Sequence, residues 1–332
     1  LQPTPPPSAT GILGLGTCLP DTVLSNKDFE RMVDTTDEWI LSRTGIRERR
    51  ILAPGQRPSD IAIPAARRAI EDAGLAPADI DGVIACTFTP DHVMPSMACM
   101  IQGALGISSG LCFDLNAACT GFVYGIQVAT ALLQSGAARR IVVVGCDANS
   151  RIIDYRDRST CILFGDGAGA VVLGPVEAGR GVLGCSAGAD GTGGCHLVVP
   201  IGGAAEPITA ATVDSPNRYM QMNGREVFKF AVRAFNESFE TAVARAGLKP
   251  ADVDLLVPHQ ANVRIINSAM ERYGFTPERV VVNIESYGNT SAASIPLALE
   301  TARGEGRLRR GTVCALVAFG GGLTYGGAVV RW

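Results

Sequence analysis

The sequence predicts an α/β fold assembled from two related halves. Two observations carry that expectation. Short apolar, strand-like runs alternate with stretches of helical periodicity, and two sequence markers recur in the same order in both parts of the chain. The strand-like runs cover 82–87, 111–115, 141–145, 168–173, 253–257, 280–283, 313–318 and 328–331. They are rich in Val, Ile and Leu and are continuously apolar, as strands buried on both faces are. Helical patterns cover 61–73, 122–133 and 228–246.

The first marker is Leu75-Ala-Pro-Ala-Asp-Ile-Asp81, which recurs 173 residues later as Leu248-Lys-Pro-Ala-Asp-Val-Asp254. Each copy follows a helical run ending in Ala-Gly, at Ala73-Gly74 and Ala246-Gly247, and precedes an apolar strand. The second, Gly167-Ala-Gly-Ala-Val-Val172, resembles Tyr325-Gly-Gly-Ala-Val-Val330, 158 residues on. Between them the dipeptide Cys119-Thr120 aligns with Asn289-Thr290. The expected organisation is a proline-rich disordered tail over 1–10, one half over 11–185 and a second over 186–332. A functional site belongs where the halves meet.

With 332 residues, 47% of them hydrophobic and 18% charged, the chain can bury a large core. A formal charge of −3 with scattered basic residues argues against a nucleic-acid partner. No apolar run reaches membrane-spanning length, so a cytoplasmic protein is expected. The ten cysteines form no C-x-x-C pair and read as reduced thiols. Cys195-His196, with Cys185 upstream, lacks paired-ligand spacing, and no metal is expected.

Chemistry concentrates on Asp114-Leu-Asn-Ala-Ala-Cys-Thr-Gly-Phe122. Small residues flank Cys119, which falls on a tight strand-to-helix turn. Unpaired N–H groups and the helix dipole there favour a thiolate, making Cys119 a candidate nucleophile. In the second half, His259 follows a strand within Pro258-His-Gln-Ala-Asn262, and Asn289 precedes a helical run. Gly320-Gly-Gly322 follows another strand, where successive glycines let backbone N–H groups turn into a pocket.

These motifs together resemble the bacterial β-ketoacyl-[acyl-carrier-protein] synthase III family, the initiating condensing enzymes of the thiolase superfamily. The match also runs through Asp37-Glu38-Trp39-Ile40 with Arg43-Thr-Gly-Ile-Arg47, Phe164-Gly-Asp-Gly-Ala-Gly169, Met222-Asn-Gly-Arg-Glu-Val-Phe-Lys229 and Gly288-Asn-Thr-Ser-Ala-Ala-Ser294. The resemblance implies a thiolase-like, five-layered α-β-α-β-α architecture, a homodimer and no cofactor. It implies a Cys119–His259–Asn289 triad. Cys119 would take an acyl group from acyl-CoA, with an oxyanion hole of the Cys119 and Gly321 N–H groups. His259 and Asn289 would stabilise the enolate formed when malonyl-[acyl-carrier protein] loses CO2.

The same resemblance suggests contacts. Trp39 and Arg158 would sandwich the CoA adenine, and Thr35, Arg43, Gly224, Phe228 and Asn262 would line the pantetheine channel. Gln260, Ala261, Asn262, Val263, Arg264, Lys229 and Arg272 would meet the carrier protein. Met94 would reach the partner subunit's acyl pocket. The alternative is a paralogous starter-unit synthase of polyketide or secondary metabolism, or an acyltransferase there acting on an alcohol or amine, with the same triad. A degradative thiolase would need a second cysteine beside the glycine loop, whereas Cys314 lies inside a strand several residues before it. An inactive chain-length subunit is disfavoured by the intact Cys119.

Overall fold

A computed structural model describes residues 9–108 and 110–332. The expected tail lies outside the described residues except for Ala9 and Thr10. Thr10 already opens a strand, and Ala9 accepts a backbone bond from Val176.

Nine strands build two sheets. The first contains β1 (Thr10–Cys18), β2 (Gly82–Cys86), β3 (Leu111–Leu115), β4 (Ile141–Ala148) and β5 (Asp166–Pro175), in the order β1-β5-β4-β2-β3. The second contains β6 (Gly181–Ala189), β7 (Leu255–Pro258), β8 (Val313–Gly320) and β9 (Thr324–Arg331), in the order β7-β8-β9-β6. The main helices are α1 (Asp37–Thr44), α2 (Ser59–Asp72), α3 (Met97–Leu105), α4 (Gly121–Gln134), α5 (Gly224–Arg245), α6 (Val263–Tyr273) and α7 (Ser294–Gly304).

Side-chain alternation along the strands sorts the molecule into layers. In the first sheet Ile84, Val143 and Val171 face inward, while Val83, Val142 and Val172 face outward onto α2 and α3. In the second, Leu255, Val257 and Leu316 face inward, while Leu256, Ala315 and Val317 pack on α5 and α6. One central core joins both inner faces around α4 and α7, through Phe122, Ile126, Ile295 and Leu299. The result is the expected α-β-α-β-α stack. Each large apolar side chain buried in it contributes about 1.5–3 kcal/mol.

Element boundaries recur at one offset and change how the sequence markers align. Helices α2 and α5 end at Asp72 and Arg245, strands β2 and β7 start at Gly82 and Leu255, and helices α4 and α7 start at Gly121 and Ser294. Each pair keeps the 173-residue offset. Cys119 therefore corresponds to Ala292, not to Asn289, whose true counterpart is Asn116. The shared threonine of Cys119-Thr120 and Asn289-Thr290 misaligned the halves by three residues. The expected division at 185/186 cuts through β6, which pairs along its length with β9, whereas 176–180 lies between strands. The expected strand at 280–283 is reduced to a parallel bridge between Leu256 and Val280, at the sheet position β3 holds in the first half.

Three excursions from these sheets cap one end. One contains the hairpin Thr22–Ser25 with Glu48–Ile51 and helix α1, one is the 149–165 connection, and one is 190–223 with the hairpin Leu197–Val198 and Gln221–Met222. Leu24, Phe29, Ile40, Ile153, Phe164 and Met220 form their shared core. No helix among the described residues is long and apolar enough to cross a membrane.

Candidate active site

Cys119 sits in the helical turn Ala118–Thr120 that opens α4. The turn is entered through Ala118 at φ 46°, a left-handed conformation uncommon for a residue with a Cβ. The loop after β8 closes over it. A Cβ on Gly320 would fall 2.7 Å from the Cys119 nitrogen, so only glycine permits this approach. Thr324 Oγ1 lies 2.9 Å from the Ala117 carbonyl and 3.0 Å from that of Gly321, tying loop and turn together. The Cys119 side chain is buried, and burial outweighs what was expected of the helix start: the thiol is pushed up to about 12.

His259 continues from β7, its N–H bonded to the Val317 carbonyl at 2.7 Å. Its ring packs edge-on against Phe319, with centroids 5.4 Å apart. Burial pushes its pKa down to about 3, so the imidazole is neutral near pH 7. Nδ1 lies 2.6 Å from Ser294 Oγ. A hydroxyl donating to Nδ1 leaves the proton on Nε2 and makes that nitrogen a donor. Ser294 was not anticipated, because its reach to His259 spans 35 residues.

Asn289 is anchored by backbone bonds to Leu163 and Gly165. Its Oδ1 accepts the Ser291 N–H at 2.9 Å. The acceptor end is thus occupied, and the amide NH2 has no recorded partner among the described residues.

Two cavities meet at Cys119. One, of about 160 Å³, is bordered by His259, Asn289, Phe228, Gly224, Ala261 and Asn262. The other, of about 340 Å³, is bordered by Phe88, Asn116, Leu197, Val199, Met220 and Gly321. The structure therefore brings Cys119, His259 and Asn289 to one cavity and Gly321 to the next, with Cys119 on both walls.

Of the expected CoA contacts, Gly224, Phe228 and Asn262 line the first cavity, while Trp39, Arg43 and Arg158 cluster with one another. Trp39 is part-exposed, with the Arg158 guanidinium 4.8 Å and that of Arg43 5.8 Å from its ring centre. Thr35 Oγ1 is buried without a hydrogen-bond partner. Asn262 caps α6 and donates to the Arg43 carbonyl at 3.1 Å, joining the two rims.

Gln260 requires a correction. It is buried, donating to the carbonyls of Pro258 and Val281 and accepting from the N–H groups of Asn283 and Ile284. It cannot meet a carrier protein, because all of its side-chain polar capacity serves this backbone junction. Arg264, by contrast, is exposed over Phe228. Ala261 and Val263 are half-buried beside it, whereas Lys229 pairs with Glu226 and Arg272 with Glu240. Met94 is exposed beside Val93 and lines neither cavity of its own chain. Among the described residues no three His, Cys, Asp or Glu side chains form a metal-holding group.

Known proteins match this arrangement across the chain. Two family profiles fit, "3-Oxoacyl-[acyl-carrier-protein (ACP)] synthase III" over residues 113–191 and its C-terminal counterpart over 243–332. A β-ketoacyl-[acyl-carrier-protein] synthase III of Symbiobacterium thermophilum is 52% identical over 97% of this chain and 98% of its own. The crystal structure of the Thermus thermophilus synthase III superposes with a TM-score of 0.91 at 46% identity, covering 97% of this chain and 99% of that one. The priming β-ketosynthase of the R1128 polyketide pathway superposes at 0.87 with 38% identity, covering 98% and 97%. The chain belongs to the 3-oxoacyl-[acyl-carrier-protein] synthase III family.

Proposed function

We propose that the protein initiates type II fatty-acid synthesis, transferring an acyl group from acyl-CoA to Cys119 and condensing it with malonyl-[acyl-carrier protein]. The observation that carries this reading is the convergence of Cys119, a neutral His259 and the free amide of Asn289 on one cavity.

Cys119 Sγ attacks the thioester carbonyl, and the tetrahedral oxyanion is met by the N–H groups of Cys119 and Gly321. Collapse expels CoA and leaves an acyl-enzyme with its chain in the cavity beside Phe88 and Met220. Malonyl-carrier protein then enters on the other side. As CO2 leaves, charge builds on the thioester oxygen, where His259 Nε2–H and Asn289 Nδ2–H donate. Donors aimed at developing charge in a dry site are worth about 3–4 kcal/mol each. The enolate carbon attacks the acyl carbonyl, Cys119 departs, and a 3-oxoacyl-carrier protein is released. None of these steps needs a redox group.

The Arg158 guanidinium lies over the Trp39 ring, 4.8 Å from its centre, and the adenine of CoA inserts between them. The unpaired Thr35 hydroxyl and Asn262 follow the pantetheine arm. Arg264, with Val263 and Ala261, forms the carrier-protein rim, and Lys229 and Arg272 extend it. The protein works as a homodimer. Strand β3 is paired on one side only among the described residues, and fully exposed Val93 and Met94 stand ready to enter a second copy.

A panel of acyl-CoA starters assayed against malonyl-[acyl-carrier protein] tests the reading. Carbon dioxide release and a 3-oxoacyl product with a short starter are expected. Transfer of acyl groups to an alcohol or amine without CO2 release would contradict it. Selective use of a polyketide carrier protein would reassign the pathway.

A further inference from the structure

One buried cation has no part in the chemistry above. Arg49 lies in the hairpin strand Glu48–Ile51, opposite Leu24. Strand alternation turns it inward while Glu48 and Arg50 stay half-buried, and Arg49 itself is completely enclosed. Its guanidinium lies over the Phe29 ring, 4.5 Å from the ring centre. Burial pulls its pKa down to about 10, so it remains charged near pH 7. Arginines are almost never enclosed in this way without a carboxylate partner, because an uncompensated buried charge is costly. Here the three hydrogen-bond partners among the described residues are neutral: the Leu24 carbonyl (3.3 Å), Asn26 Oδ1 (2.8 Å) and the Ile162 carbonyl. Nε has none. What arginine offers at such a place is a rigid planar fork that holds several acceptors in fixed relation.

The acceptors belong to two segments. Ile162 opens the 162–165 stretch, on which the Asn289 backbone hangs. The Asn289 N–H donates to the Leu163 carbonyl at 2.9 Å, and the Gly165 N–H donates to the Asn289 carbonyl at 3.0 Å. Phe164 and Asn289 form a parallel bridge. The stem of Arg49 packs against the same place: a Cβ on Gly165 would fall 3.0 Å, and one on Gly288 3.3 Å, from the Arg49 Cβ. Asn26 secures the other prong. Its Nδ2 donates to Asp37 Oδ1 at 2.8 Å and to the Ile46 carbonyl at 2.7 Å, fixing it to the first residue of α1. One guanidinium thus ties the hairpin and the start of α1 to the segment that seats Asn289.

We propose that Arg49 is a positioning residue for the Asn289 amide: it clamps residues 162–165 against the hairpin and so sets where Asn289 donates as CO2 leaves. The proposal rests on the reading of Asn289 as a donor to the developing enolate. Arg49 touches neither the substrate nor the reacting atoms.

The clamp bears on one half-reaction more than on the other. Asn289 Oδ1 is already committed to the Ser291 N–H, so its NH2 points wherever the backbone and that bond direct it. A shift of the 162–165 segment therefore moves the donor. Cys119 is seated by other contacts, the close approach of Gly320 and the Thr324 hydroxyl between Ala117 and Gly321. Loss of the fork should leave the nucleophile in place while the donor drifts.

The test follows two half-reactions in Arg49→Lys, Arg49→Met, Asn289→Ala and the double variant Arg49→Lys/Asn289→Ala. One is single-turnover acylation of Cys119 by acyl-CoA. The other is condensation of the pre-acylated enzyme with malonyl-[acyl-carrier protein], read as CO2 release. Both Arg49 variants should acylate within about three-fold of wild type, while kcat for condensation falls on the order of 10- to 100-fold. KM for the carrier substrate should hold. Lysine, which keeps the charge and the stem but not the fork, should retain more condensation than methionine. Because Arg49 acts through Asn289, the double variant should condense no more slowly than Asn289→Ala alone. Unchanged condensation, equal losses in both half-reactions, a loss confined to KM, or a double variant slower by the full Arg49→Lys factor would overturn the proposal. If neither Arg49 variant folds, Asn26→Ser, which shortens the anchor on Nη1, decides by the same split. Asn289→Ala condensing at the wild-type rate would instead refute the donor itself, so the two failures are distinguishable.

Discussion

The turns that open α4 and α7 are one backbone device used twice. In each, an asparagine side chain accepts the N–H two residues on, Asn116 from Ala118 at 3.3 Å and Asn289 from Ser291 at 2.9 Å. In each, that second residue has a positive φ, 46° and 53°. A short turn and a long apolar helix follow. The side chains then diverge. The first turn carries Cys119, while its counterpart carries Ala292. His259 follows β7, while the equivalent place, the last residue of β2, is Cys86, a buried thiol whose pKa burial drives far upward. The two turns are thus equivalent backbone seats, with Cys119 in one and Asn289 in the other.

This asymmetry is open to attack by mutation. The largest expected effect is from the donor side. His259→Ala or Asn289→Ala should lower condensation on the order of 10²–10³-fold, with acyl-enzyme still formed at a measurable rate. The check is to assay the two half-reactions separately. Equal loss in both would mean that the two seats do not divide the labour.

The His259 environment sharpens the same point. Its folded-state pKa, near 3, lies below the unfolded value of about 6.5. The unfolded chain therefore binds the extra proton first, so stability is lost as pH falls from about 6.5 towards 3. The ring itself should stay neutral, with the proton on Nε2, in nitrogen NMR spectra down to pH 5. A titration near pH 6.5 would contradict the Ser294 bond and the dry pocket.

Smaller effects probe the supports. Gly320→Ala forces a Cβ against the Cys119 backbone and should cost about 1–3 kcal/mol in denaturant melts, with acylation falling more than alkylation. Gln260→Ala and Arg264→Ala separate burial from the rim. The first strips partners from four backbone groups and should destabilise by about 3 kcal/mol. The second should leave stability unchanged and raise KM for the carrier protein a few-fold, less so at high salt. A Gln260→Ala variant that is stable but defective in carrier binding would mean that Gln260 meets the carrier protein after all.

Much of this was legible in the chain. Seven of the nine sheet strands declared themselves through apolar runs, β1 and β6 did not, and the 173-residue repeat pointed to the second half. Strand β6 was missed because Gly181-Val-Leu-Gly-Cys-Ser-Ala-Gly-Ala189 is too rich in small residues to show a strand signal, although its close contacts with α5 require them. A Cβ at Gly184 would lie 2.5 Å from the Ala246 nitrogen. Cys119, His259 and Asn289 stood out because motifs surround them. Ser294 and Thr324 did not, because each acts on a residue distant in sequence and carries no spacing of its own. Gln260 was misjudged because polarity inside a motif reads as exposure, whereas here it satisfies buried backbone.

The most direct test of the central claim is a mass measurement. The protein is incubated with acyl-CoA alone, without a malonyl donor, and then digested. One acyl group should appear on the peptide containing Cys119 and vanish in Cys119→Ala. Acylation of any of the other nine cysteines, or label that survives the substitution, would contradict the account.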